Sequence, residues 1–167
     1  MPNVIPDFYK LAAIKEHFEG YRTNAYPDSG KVWTVGFGST YNHDKKRKVQ
    51  EGDTVTKEIA IRWMATDVDS VIRQANQYIT TQLSPSQSAA IVDMIYNRGI
   101  GNFLKTNLDE LINGNPFDPL IKHEMINTGL KDRLGNLLWG LGRRRRSEWV
   151  LYSTGQLKFD FPRWGNI

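Results

Sequence analysis

Cysteine is absent from the 167 residues, so neither a disulfide framework nor a thiolate metal site can be built, and folding cannot depend on the redox state of the surroundings. No apolar stretch approaches the ~18 residues that would read as a membrane span. The opening MPNVIPDFYKLAAIKEHFEG lacks the continuous apolar segment of a secretory signal, so a soluble protein made in the cytoplasm, without a membrane anchor, is expected. Histidine is scarce. His17, His43 and His123 are scattered and poorly supplied with neighbouring ligands, and no metal site is expected. Phosphate-cradling glycine loops, nucleophile elbows and catalytic cysteines are missing too, so the expected chemistry uses no cofactor. With no repeat, low-complexity tract or Pro/Ser-rich linker, and 40% hydrophobic content, residues 1–167 read as a single domain with a sizeable core.

What is present begins with charge. Residues 131–167 carry eight Lys/Arg against three Asp/Glu, net +5, whereas residues 1–130 carry fourteen against fifteen. A basic end is attracted to polyanions, and charge alone does not choose among anionic envelope polymers, wall peptides and nucleic acid. The runs Lys45-Lys46-Arg47-Lys48 and Arg143–Arg146 are expected to be mainly solvated faces, not a specific nucleic-acid site. Four consecutive arginines on a helix point four ways, so at most one or two can face any cleft.

The strongest chemical pattern is E-x8-D-x5-T, formed by Glu19, Asp28 and Thr34 within EGYRTNAYPDSGKVWTVGFGST. An apolar helical stripe of Phe8, Leu11, Ala12, Lys15 and Phe18 stops at Gly20, predicting a helix over about 7–19 with Glu19 in its last turn. Pro27-Asp28-Ser29-Gly30 reads as a turn and Lys31–Phe37 as a strand, so the chain reverses between the two acids. On that strand Val32, Thr34 and Gly36 share one face, expected to be narrow enough for a sugar, while Trp33, Val35 and Phe37 share the other. Two acids and a hydroxyl folded together are what glycosidic bond hydrolysis needs: a proton donor for the leaving oxygen and a partner for the attacking water. Taken singly the residues have plainer readings, Asp28 as a turn aspartate and Thr34 as a β-favouring residue. Glu58 and Asp67 repeat the nine-residue offset, but Arg73 stands where the threonine should be. Their helical segment puts the two acids on opposite faces, so that pair is read as incidental.

Residues 20–55 read as a small hairpin lobe. Thr56 is a credible N-cap for one long linking helix over about 56–80. Ser84-Pro85 opens another helix running to Asn97, before a break at Gly99 and Gly101. Further helices are expected over Asn107–Ile112, Pro119–Ile126 and Leu141 to about Ser153, making residues 81–167 a helical lobe.

Three segments together resemble the phage-type lysozymes, or endolysins, of glycoside hydrolase family 24. These are the Glu19–Thr40 stretch; QSAAIVDMIYNRGIGNFLKTNL with its Tyr96-Asn97-Arg98-Gly99-Ile100-Gly101 ending; and GLGRRRRSEWVLYSTG, matching a Gly-Leu-x-x-Arg-Arg-x-x-Glu helix at Gly140, Leu141, Arg144, Arg145 and Glu148. In order and spacing they cover roughly residues 11–155. The resemblance implies an α+β, mainly helical, lysozyme-like two-lobed fold with a small β-hairpin lobe, a larger helical lobe and a cleft between them. It implies an inverting muramidase that cleaves the β-1,4 bond between N-acetylmuramic acid and N-acetylglucosamine of peptidoglycan. It also implies a monomer released from the host cytoplasm by a separate holin. It assigns Glu19 as general acid, Asp28 as base or charge stabiliser, Thr34 as water holder and Arg144 as the arginine approaching Glu19. Thr40, Tyr96, Asn97 and Thr106 become substrate-groove candidates. In one place the chain departs from the pattern: relatives commonly have Gly-x-Gly-His, and here Ser39 follows Gly36-Phe37-Gly38, so a charge pair built on that histidine is expected to be lost. The competing readings are a lytic transglycosylase, disfavoured by having both Asp28 and Thr34, and a non-enzymatic basic wall-binding module.

Overall fold

The computed structural model describes residues 1–131 and 134–163. Helix α1 (Phe8–Glu19) starts where the Asp7 side chain accepts hydrogen bonds from the amides of Tyr9 and Lys10, and ends at Gly20, whose φ of 88° suits glycine. Although first in sequence, α1 packs with the late helices. A bulged hairpin follows, β1 (Arg22–Pro27) antiparallel to β2 (Trp33–Gly36), then a second short hairpin of β3 (Tyr41–Asn42) and β4 (Arg47–Lys48). Helices α2 (Lys57–Asp67) and α3 (Asp69–Tyr78) lead to α4 (Pro85–Arg98), α5 (Ile100–Leu104), α6 (Leu108–Gly114), α7 (Pro119–Asn127) and α8 (Trp139–Thr154). The architecture is α+β and mainly helical, with the lysozyme-like arrangement expected.

The core is built around α4. Its capping box is complete, the Ser84 hydroxyl accepting from the Gln87 amide at 3.2 Å and the Gln87 side chain from the Ser84 amide at 3.0 Å, with Pro85 at the first turn. Every residue from Gln87 to Ile95 is buried, because α1, α3, α5 and α8 surround the helix. A helix apolar on nearly all sides belongs in such a place. The N-terminal segment is tied to α3 by Asn76, whose side-chain oxygen accepts from the amides of Asn3 and Val4 at 2.8 and 2.9 Å. Among the described residues no helix is long and apolar enough to cross a membrane.

Several sequence expectations are corrected. The linking helix is two helices, interrupted at buried Val68. Just before the interruption the Thr66 hydroxyl bonds back to the Arg62 carbonyl at 3.3 Å, a contact that bends helices. The break falls at Gly99 as expected, but it is one residue wide, and Gly101 lies inside α5, which begins at Ile100. Strand β2 does not offer an open glycine face, since a Cβ at Gly36 would lie 3.0 Å from the Ala60 Cβ of α2. That glycine permits close packing of strand on helix, with φ at +66°. Asp67 is not incidental either. Its carboxylate accepts from the Ser39 hydroxyl at 2.5 Å and meets His43 Nε2 at 2.7 Å, pinning the β lobe to the end of α2. An imidazole–carboxylate pair is therefore present despite Ser39, with the imidazole arriving from four residues further along.

The first basic run is mainly solvated as expected, with Lys45, Lys46 and Lys48 exposed, but its arginine is engaged and the second run is not a solvated face. In the Lys45–Lys48 run, Arg47 makes two bonds to buried Asp53 at 2.7 and 2.8 Å, joined by Lys45 at 3.1 Å. In the second run, Arg144, Arg145 and Arg146 are all buried on α8.

Candidate active site

Lys15 and Glu19 stand four residues apart on α1 and hence on one face of it. The Glu19 side chain is 32% exposed and both its oxygens are held: Oε1 by an Arg144 terminal nitrogen at 2.8 Å, Oε2 by Lys15 Nζ at 3.3 Å. Arg144 comes from α8, 125 residues away in the chain. Its other nitrogens grip buried Asp93 of α4 in two bonds, 2.9 and 2.8 Å, and its Nε lies 3.7 Å from Glu148. The Arg144 guanidinium joins α1, α4 and α8 at one point and fixes the end of α1 on which Glu19 stands.

Burial alone would push Arg144 toward losing its proton, but the charge and hydrogen bonds of Asp93, then Glu148 and Glu19, raise its pKa well above the usual value. It is a permanent cation. Burial also dominates at Glu148, raising its pKa well above the carboxylate range against the opposing pull of Arg145. A hydrogen bond shared with Asp93 adds to the rise at Glu148. Asp93 is pushed up by burial but more than compensated by Arg144 and this bond, so it ends below its ordinary value and ionised. Arg145 completes the layer, donating to Glu148 at 2.6 Å and to the Asn97 side chain at 3.0 Å.

Asp28 and Thr34 lie at the far end of the first hairpin. Thr34 pairs with Tyr26, and Trp33 with Pro27, the residue before Asp28. Between Arg22 and Tyr26 the register slips. There β1 turns to segment 53–55, with Ala25 N donating to Asp53 O and Val55 N to Thr23 O. A bulge bends its strand, and this one falls between Glu19 and the hairpin's far end. Asp28 Oδ1 accepts from the amides of Gly30 at 2.8 Å and Val32 at 2.9 Å, the turn role open to any aspartate there. Oδ2 carries none of these bonds. Thr34 is 4% exposed and its hydroxyl donates to Val32 O at 3.0 Å, leaving its lone pairs for an incoming donor.

The groove candidates fall in different places. Thr40 lines a cavity of about 430 Å³ with Val32, Trp33, Tyr41, Lys48 and Val49 on the β lobe. Tyr96 is partly exposed and covers Lys15, with Nζ 3.3 Å from its ring centroid. Asn97 is exposed, though Arg145 takes up its side-chain oxygen. Thr106 is 6% exposed. Its hydroxyl donates to Phe103 O at 2.6 Å and accepts from the Leu108 amide, so it shapes the α5–α6 turn and is not available to a groove. Sequence reasoning missed Lys15 and Asp93. A signal existed for each: Lys15 is four residues before Glu19, and Asp93 is the lone acid in the apolar run AAIVDMI. Among the described residues no acid–histidine cluster suited to a metal ion occurs.

Residues 16–148 match the family described as phage lysozyme. The endolysin of Acyrthosiphon pisum secondary endosymbiont phage 1 is 28% identical over 145 residues, covering 86% of this chain and 94% of that protein. Other matching endolysins are longer, and the match covers about half their length, 51% for that of Bacillus phage B103. Among solved structures, the endolysin from Escherichia coli O157:H7 phage FAHEc1 superposes with a TM-score of 0.72 at 25% identity, over 89% of this chain and 94% of that one. The muramidase domain of SpmX from Asticaccaulis excentricus does so at 0.66 and 26%, over 86% and 95%. With the family match running from within α1 to within α8, and so through every element that holds Glu19, Asp28 and Thr34, the chain belongs to the phage lysozyme family.

Proposed function

We propose that this lysozyme-type glycoside hydrolase is an endolysin that cleaves the β-1,4 bond between N-acetylmuramic acid and N-acetylglucosamine in bacterial peptidoglycan, with inversion. The observation that carries the reading is the setting of Glu19, a partly exposed carboxylate at the end of α1, held on both oxygens by cations beside a hairpin that bears Asp28 and Thr34. In the reaction, protonated Glu19 gives its proton to the glycosidic oxygen as that oxygen leaves the anomeric carbon. A water on the opposite face forms the new C–O bond, and its proton passes to the Asp28 carboxylate. Thr34 Oγ1, its own hydrogen committed to Val32 O, accepts a hydrogen bond from that water and so aligns it. Tyr96, Asn97 and the cavity containing Thr40 are the proposed saccharide contacts. The protein acts as a monomer that reaches the wall from the host cytoplasm once a separate holin opens the membrane.

The test is release of reducing ends from purified peptidoglycan by the wild type and by Glu19→Gln. The variant keeps the shape but has no proton to donate, and it should lose ~100-fold or more in rate with its fold intact. Near wild-type release by the variant would sink the assignment. Products ending in an anhydro sugar would instead mean transglycosylation, and no release at all by the wild type would leave a binding module.

A further inference from the structure

Lys15 is 1% exposed, and the reaction just described does not use it. Burying an ammonium is costly, and this position faces a core in which Leu11 and Ile14 of the same helix are also buried. Nor does helix stability account for the pair. A lysine four residues before a glutamate is the weaker of the two orders, and a glutamate in the last turn meets the negative end of the helix dipole. A buried pair moreover gains little over apolar packing. What Lys15 does have is geometry, with Nζ 3.3 Å from Glu19 Oε2 and 3.3 Å from the Tyr96 ring centroid, where the ring shields it from solvent.

We propose that Lys15 is a positioning residue for Glu19, holding Oε2 and stabilising the negative charge that develops there as the proton leaves for the glycosidic oxygen. The inference rests on the function proposed above. Arg144 donates to Oε1 and Lys15 to Oε2, so the charge left on the carboxylate as its proton departs is met at Oε2 by Lys15. Charge that appears only as the reaction proceeds is best stabilised by a fixed cation in a site short of water. Burial lowers the pKa of Lys15 itself, against the pull of Glu19 and Asp93, so its charge depends on those two carboxylates. The charged and titratable groups around Glu19 are Lys15 on its own helix, Arg144 on α8, and Tyr96 with Asp93 on α4.

The experiment is the rate–pH profile of Lys15→Met on purified peptidoglycan, with Lys15→Arg beside it. Methionine fills the space without the charge. The expected result is a rate at the wild-type optimum reduced about 10-fold or more. The basic limb should move up by about one pH unit or more, because the acid keeps its proton longer once the cation is gone. KM should change far less than kcat, and Lys15→Arg should leave the limb in place. An unmoved limb in Lys15→Met overturns the proposal, leaving Lys15 as packing alone. Should Lys15→Met not fold, Lys15→Gln carries the same test with the same two outcomes. Failure of the wild type to release sugar ends would instead strike the proposed function, so the two failures are distinguishable.

Discussion

A threonine hydroxyl has one proton to give and two lone pairs to offer. At Thr34 the proton is spent on Val32 O, so toward water the residue works as an acceptor. Thr34→Val keeps the β-branched shape at a buried strand position and deletes only that acceptor. The strand should persist and KM should barely move, while kcat falls by about 10²-fold, since the lost contact acts on the attacking water. The first-formed product, followed at the anomeric proton by NMR before mutarotation, should be the α anomer. A β anomer would mean retention, with Asp28 attacking directly. Of these residues the E-x8-D-x5-T spacing was legible in sequence because the helix stop at Gly20 and the turn at Asp28 follow local rules. Lys15 was passed over because it looks like one more residue of an apolar stripe, although its place four residues before Glu19 was the available signal.

Helix α8 shows why a charge run can mislead. Apart from Arg144, assigned a place near Glu19 by resemblance, the run read as solvated because exposed arginines are the common case, but Asp93 and Asn97, the partners of Arg144 and Arg145, lie 51 and 48 residues away on α4. No local pattern announces such pairing. Arg146 is 8% exposed and its guanidinium lies over the Trp139 ring, 5.1 Å from its centroid, so neutralising it should loosen α8 more than it alters attraction to an anionic wall. Glu148 gives a sharper test of the layer. Burial raises its pKa well above the ordinary value, and Glu148→Gln has the shape of the neutral acid, with a donor toward Asp93 and an acceptor for Arg145. Near pH 5 the melting temperature should stay within about 3 °C of the wild type. A group whose pKa is raised on folding contributes stability below its unfolded value, near 4.3, and loses it as pH rises through the folded value. Glutamine has no such loss, so the difference should turn in the variant's favour as pH rises. A drop of 10 °C or more near pH 5 would mean an ionised Glu148 paired with Arg145.

The two lobes meet acid differently. Helical-lobe stability is carried by apolar packing around α4 and one buried charged layer, whereas the β lobe has two short hairpins and rests heavily on carboxylates, Asp53 beneath Arg47 and Lys45, and Asp67 between Ser39 and His43. Asp53 is held far below the usual carboxylate range, first by its bonds from Arg47, against the opposing effect of burial, and then by the Gln50 amide. A group whose pKa is depressed on folding contributes stability above its unfolded value, near 3.9, and that contribution is lost as pH falls toward the folded value. Asp53→Asn keeps the size but not the charge. At pH 7 it should melt on the order of 5 °C below the wild type. The gap should hold down to about pH 4 and narrow below it as protons begin to compete for the wild-type carboxylate, without closing by pH 2 because the folded value lies so low. Thermal unfolding of both proteins from pH 2 to 8 measures this directly. A gap that stays constant across the whole range would show that Asp53 acts through shape and not through charge.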